Sequence, residues 1–239
     1  MSVRKLRDAV VLMTAFIALI WILQVFNWAD GYRLDVDFGI LPHNLGHLPD
    51  IFTAPFLHFN WQHIEGNTVP LFVLGVLAAY RGVKKFLLVT LIVAVTSGLA
   101  VWLFQSNGLT VGASGLIFGY FGYVVVRGFF DRNLLDIGIG VVAGVLYWTI
   151  LQVAIPGTPG ISWVGHVGGL VGGVLAAWVL RERSPAVGAG AHGWTTGFGR
   201  PLRDSQREGT SGTGSRTVPE HPGSRAATDL LRELEDKGF

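Results

Sequence analysis

The chain has 239 residues, of which half are hydrophobic and 14% charged, and its mean hydropathy is +0.48. Such a balance excludes an ordinary soluble domain and points to a membrane protein. The absence of cysteine excludes disulfides, thiolate nucleophiles and sulfur-ligated metals, and a formal charge of only +2, with bases flanking apolar runs, reads as membrane topology rather than nucleic-acid binding.

Residues 1–8 carry Arg4, Lys5 and Arg7 and lead into an apolar run over 9–26. The run is longer than a signal-peptide core and Asn27-Trp28-Ala29-Asp30 is a poor cleavage site, so a retained span is expected. Residues 27–57 form a long connection with Asp30, Asp35, Asp37 and Asp50 against a single Arg33. Its apolar stretches, 38–41 and 51–57, predict a segment folded onto or into the interface. Five further apolar runs follow at 64–80, 86–104, 111–126, 134–153 and 163–180, each about long enough to cross hydrocarbon as a helix. The expected class is therefore an all-α membrane protein with a six-transmembrane-helix bundle over 9–183. Beyond it, 184–239 turns to Gly, Ser, Thr and Pro with scattered charge, the composition of a disordered tail.

Basic residues alternate between the connections. Arg4, Lys5 and Arg7 precede the first span, Arg81, Lys84 and Lys85 follow the second, Arg127 and Arg132 follow the fourth, and Arg181 and Arg183 follow the sixth. The other loops hold Arg33 alone, so both termini are expected in the cytoplasm and the first, third and fifth loops outside.

This topology brings the unusual polar groups to one depth. His63 and Asn67 lie in the first turns of the second span with His58 just before it, Ser114 opens the fourth, and His166 opens the sixth. Three helices running in the same direction thus carry them just below the outer surface. His63 and Asn67 are four apart and share a helix face. Gly112 and Gly115 flank Ser114, leaving room for a substrate backbone, while His166, Gly169 and Gly173 form a stripe that can press on Gly115 and Gly119. A glycine-flanked serine alone would more often be a packing feature, and a single histidine at a helix end an interfacial anchor; their joint placement argues for a site. Glu65 projects about 200° round the helix from His63 and is expected to bond a neighbouring helix. Asp136 is expected to serve a helix N-terminus.

The order His58-x4-His63-x3-Asn67, then Gly112-Ala113-Ser114-Gly115, then Gly165-His166-Val167-Gly168-Gly169, over six spans, resembles the rhomboid family of intramembrane serine proteases. The resemblance covers about residues 10 to 180. It implies a Ser-His dyad with Ser114 as nucleophile and His166 as general base and acid. It further implies an oxyanion hole from the Ser114 backbone N–H, His63 and Asn67, a supporting hydrogen bond from His58, no cofactor, and membrane-protein substrates in the lipid bilayer. Phe118 stands where relatives often carry a tyrosine that stacks on the catalytic imidazole, and the Trp-Arg pair common in the family's first outer loop is absent.

Three other readings were open to the residues. His58, His63 and His166 could bind a metal, although no His-Glu-x-x-His motif accompanies them. Polar groups at one depth also mark channels and transporters. A catalytically inactive relative that binds membrane proteins would keep the same fold.

Overall fold

In hydrocarbon an unpaired backbone N–H or C=O is costly, so an apolar run closes its own hydrogen bonds as a helix. The structure, a computed structural model, describes residues 3–149, 151 and 162–182 and is all-helical among them, without a strand. In chain order the helices are α1 (Val3–Ala29), α2 (Arg33–Phe38), α3 (Trp61–Ala79), α4 (Val83–Phe104), α5 (Ser114–Asp131), α6 (Leu134–Leu146) and α7 (Trp163–Val179). α1 and α4 are long and apolar enough to cross a membrane, while α6 and α7 are shorter apolar helices. The expectations for the fifth loop and for the tail at 184–239 lie outside the described residues.

Several boundaries differ from the hydropathy reading for local reasons. α1 starts at Val3, taking in the basic residues that were assigned to a separate N-terminal segment. α3 starts at Trp61 because the Asn60 side chain accepts the His63 N–H and caps it. α5 starts at Ser114 rather than 111, since Gly112 has φ of 126° and cannot be helical. It runs on to Asp131, where Arg132 closes it in the left-handed region at φ 52°. α6 stops at Leu146, short of the expected 153: the α-helix breaks at Tyr147, and Trp148 and Thr149 continue in the tighter 3-10 geometry common at helix ends.

α5 is the centre of the bundle, packed by α3, α4, α6 and α7, while α1 packs on α3. Trp21 of α1 lies against Trp61, with ring centroids 6.1 Å apart, and its Nε1 donates to Thr68 Oγ1 at 3.0 Å. The loop between α1 and α3 is folded into α2 and three 3-10 turns, Leu45–His47, Pro49–Ile51 and Ala54–Phe56. Ile40, Ile51, Ala54 and Leu57 from the loop form a small apolar core with Val101 and Val111. At its start the buried Asn27 donates to Asp35 Oδ1 at 2.8 Å; burial raises the Asp35 carboxyl above its ordinary value, and this hydrogen bond opposes the rise.

At the other end of the helices Arg81, Lys85 and Arg127 are paired with carboxylates. Arg127, 1% exposed, donates to the Leu77 carbonyl at 2.8 Å and to Asp136 at 3.1 Å. Arg81 bridges Asp136, Asp131 and Glu182, and Lys85 meets Glu182 at 3.0 Å. Asp136 does sit in the first turn of α6, but its carboxylate is turned to the two arginines, which corrects the purely helix-terminal role expected of it. Glu65, expected to bond a neighbouring helix, is instead exposed on α3. Replacing Arg127 by methionine strips a buried carboxylate of one partner, so it should cost about 3 kcal/mol, seen as a lower unfolding temperature in detergent. Pairing that change with Asp136→Leu should recover part of the loss.

Candidate active site

Ser114 is placed by the backbone that leads into it. Thr110 exchanges both backbone hydrogen bonds with Ile40 of the first loop, at 3.0 Å each, and the Gly112 N–H donates to the Ala54 carbonyl at 2.9 Å. Any side chain at Gly112 would collide with His63, whose Cε1 and Nε2 lie 2.6 and 2.7 Å from the position of a Cβ. Glycine is thus required there twice, for conformation and for space. The chain then turns through Ala113 into α5, so the Ser114 N–H falls in a first turn, where no intrahelical carbonyl is available to it and the helix end is electropositive.

His166 comes from the first turn of α7, where its N–H donates to the Ser162 carbonyl and the Ser162 hydroxyl accepts the Gly165 N–H. Its ring, in a residue 5% exposed, stacks on Phe118 with centroids 4.2 Å apart and planes at 10°. Phe118 is four residues after Ser114 and so shares its face of α5. The outcome is His166 Nε2 at 2.9 Å from Ser114 Oγ. Close helix approach makes this possible: a methyl group on Gly169 would strike the Gly115 carbonyl, and one on Gly173 the Gly119 carbonyl. Gly168 and Gly172 form a second seam against Ala100 and Thr96 of α4, and Ser97 Oγ donates to the Gly165 carbonyl at 2.7 Å.

The remaining predicted residues surround the same backbone. His58 is fully buried, and its Nε2 accepts the Ala113 N–H at 3.4 Å, which leaves the ring proton on Nδ1. Its ring meets that of His63 edge to face, with centroids 5.0 Å apart. Asn67, 7% exposed, has its Nδ2 without a partner among the described residues, 3.8 Å from the place a Gly112 Cβ would take. His58, His63, Asn67, Gly112, Ser114, Gly115, Phe118, His166 and Gly169 are therefore one cluster. As a metal-binding set the histidines are misdirected, because Nε2 of His58 faces Ala113 and Nε2 of His166 faces Ser114. Contributors unseen in the sequence include the Ile40 backbone, the Ala54 carbonyl, Ser97 and the Ser162 cap. Only the last has a local signal, a serine just before a helix.

Burial, and secondarily His63, push His58 down to about 3 from an ordinary 6.5. The sign of the effect on stability follows. Below pH 6.5 the unfolded chain takes up a proton that the folded chain refuses, so stability is lost as pH falls from 6.5 toward 3, by up to about 1 kcal/mol per pH unit. Melting temperatures of the wild type in detergent should drop between pH 6.5 and 4. His58→Gln, whose amide oxygen can still accept the Ala113 N–H, should show a shallower drop.

Residues 45–183 match the family model described as Rhomboid domain. An uncharacterized protein of Mycobacterium tuberculosis is 40% identical over 174 residues, covering 69% of this chain and 72% of that one. Rhomboid-like protein 11, chloroplastic, of Arabidopsis thaliana is 30% identical over 156 residues, 59% of this chain and 56% of its own. Rhomboid protease GluP of Bacillus subtilis is 28% identical over 170 residues, 69% of this chain and 33% of its own.

Proposed function

The chain belongs to the rhomboid family and is a membrane protein, and from that premise we propose that it is an intramembrane serine endopeptidase working through Ser114 and His166. The observation that carries the reading is the 2.9 Å contact between Ser114 Oγ and His166 Nε2. A serine hydroxyl becomes a useful nucleophile only when a base can take its proton as it attacks, and this distance is within reach of such a transfer. Ser114 Oγ attacks the scissile carbonyl while His166 takes its proton. The oxygen that becomes negative is met by the Ser114 N–H and by the side chains of His63 and Asn67. His166 then protonates the leaving amine, and a water deprotonated by the same imidazole releases the acyl group. A cavity of about 30 Å³ bordered by Ser97, Ser114, Gly115, Ser162 and Gly165 is large enough to hold a water.

In this reading α1 and α3 to α7 are six spans, both termini are cytoplasmic, the paired charges around Arg127 face the cytoplasm, and the site opens outward. Substrates are membrane proteins cut near the outer boundary of a transmembrane helix. That segment must unwind to present a carbonyl, which favours small residues at the cut. A fluorophosphonate probe tests the chemistry directly. Covalent labelling of the wild type that disappears in Ser114→Ala is expected, and an unlabelled, folded wild type would end the protease reading.

A further inference from the structure

We propose that Gln105 is a positioning residue that sets Ser114 against His166, by tying the segment leading into the nucleophile to the cap of the helix that carries the base. The inference rests on the protease reading for its effect on turnover, and on geometry alone for its effect on the imidazole. Gln105 follows directly on α4. Its Oε1 accepts from the Ser162 hydroxyl at 2.6 Å and lies 3.2 Å from the Thr110 hydroxyl. Its Nε2 faces the Asn107 carbonyl at 2.9 Å, the Gly108 carbonyl at 3.1 Å and Thr110 Oγ1 at 2.9 Å.

The amide orientation is determined by these neighbours. Exchanging its oxygen and nitrogen would set an acceptor against two backbone carbonyls that have no proton to give. With both amide hydrogens on those carbonyls, the Thr110 hydroxyl is left to donate to Oε1. One side chain therefore holds two segments at once.

On one side is Thr110, four residues before Ser114 and already paired with Ile40. On the other is Ser162, the N-cap of α7. Its hydroxyl proton goes to Gln105, its hydroxyl oxygen accepts the Gly165 N–H, and its carbonyl accepts the His166 N–H at 3.2 Å. A shift of Ser162 is a shift of the first turn of α7, and His166 is in that turn.

The glycine seams do not make this strut redundant. They fix the separation of α5, α7 and α4 along their lengths, whereas Ser114 and His166 both lie at helix ends, where backbone hydrogen bonds are fewest. Conversely, the loop into Ser114 keeps its Ile40 and Ala54 bonds if Gln105 is lost. The fold should therefore survive a substitution that the chemistry notices.

Three variants test this: Gln105→Leu, Ser162→Ala and Ser162→Thr. Each is measured for kcat and KM on a single-span substrate in proteoliposomes, for fluorophosphonate labelling, and for the ring 15N signals of His166, assigned by their loss in His166→Ala. The first two should lower kcat about tenfold or more with KM within about twofold, since small misplacement of reacting groups is costly in rate. Both should displace the His166 signals, their effects should not add in the double variant, and Ser162→Thr, which keeps the capping hydroxyl, should behave as wild type. A Gln105→Leu protein with wild-type kcat, or with an unmoved His166 signal, overturns the proposal. If the wild type itself takes no probe, the protease reading fails separately and the His166 signal alone decides the positioning claim.

Discussion

Ser114→Ala is expected to reduce peptide-bond cleavage to below about 10⁻⁴ of the wild-type rate, and His166→Ala to do the same. In the proposed mechanism the two side chains act as one unit, because the hydroxyl would attack only as Nε2, 2.9 Å away, takes its proton. Either loss therefore removes the same step, and the double variant should be no slower than the singles. Neither change should disturb the fold much. Ser114 is only half-buried and opens α5, where alanine is an acceptable helix residue. His166→Ala removes the ring stacked on Phe118 and leaves a space, so a modest fall in melting temperature is expected from that variant and not from Ser114→Ala. Cleavage of a single-span substrate, run beside circular dichroism of each variant, separates the effects. Turnover retained in Ser114→Ala would exclude serine catalysis.

What could be read in advance was what repeats at helical spacing. His63 and Asn67, four apart, and His166 with Gly169 and Gly173 announce shared faces without any knowledge of the fold. The bonds that aim Ser114 could not be read, because they come from residues far away with no pattern. Ala54 reaches Gly112, and Ile40 reaches Thr110, only after the first loop has folded onto α4. Burial periodicity is silent about such irregular backbone. The pairing of the charges was out of reach for the same reason: a count of bases by loop does not reveal that Arg81 and Arg127 share Asp136. Hydropathy runs on through Tyr147 and Trp148, so it gave no sign that the α-helix ends at Leu146.

Asn67→Ala should slow turnover by about 10² with little change in KM, the cost of one donor to a developing oxyanion. Its Nδ2 is buried and has no partner among the described residues. Leaving a buried donor unpaired costs about 1–3 kcal/mol, so an asparagine serving only the fold would be expected to spend that donor on a neighbour. A donor held ready for a charge that exists only during reaction stays unpaired until then. Two consequences separate this account from a structural one. First, Asn67→Ala should lose activity while keeping its melting temperature close to wild type, because the desolvation relieved offsets much of the packing lost. Second, Asn67→Asp, nearly isosteric but carrying a carboxylate where the oxyanion forms, should be slower than Asn67→Ala. His63→Ala should fall in the same range as Asn67→Ala, since the His63 ring lies against Gly112 beside the same position. Rates and melting temperatures of the three variants decide it: a destabilised Asn67→Ala whose remaining folded fraction turns over at the wild-type rate would remove Asn67 from the chemistry and leave Ser114 and His166 in place.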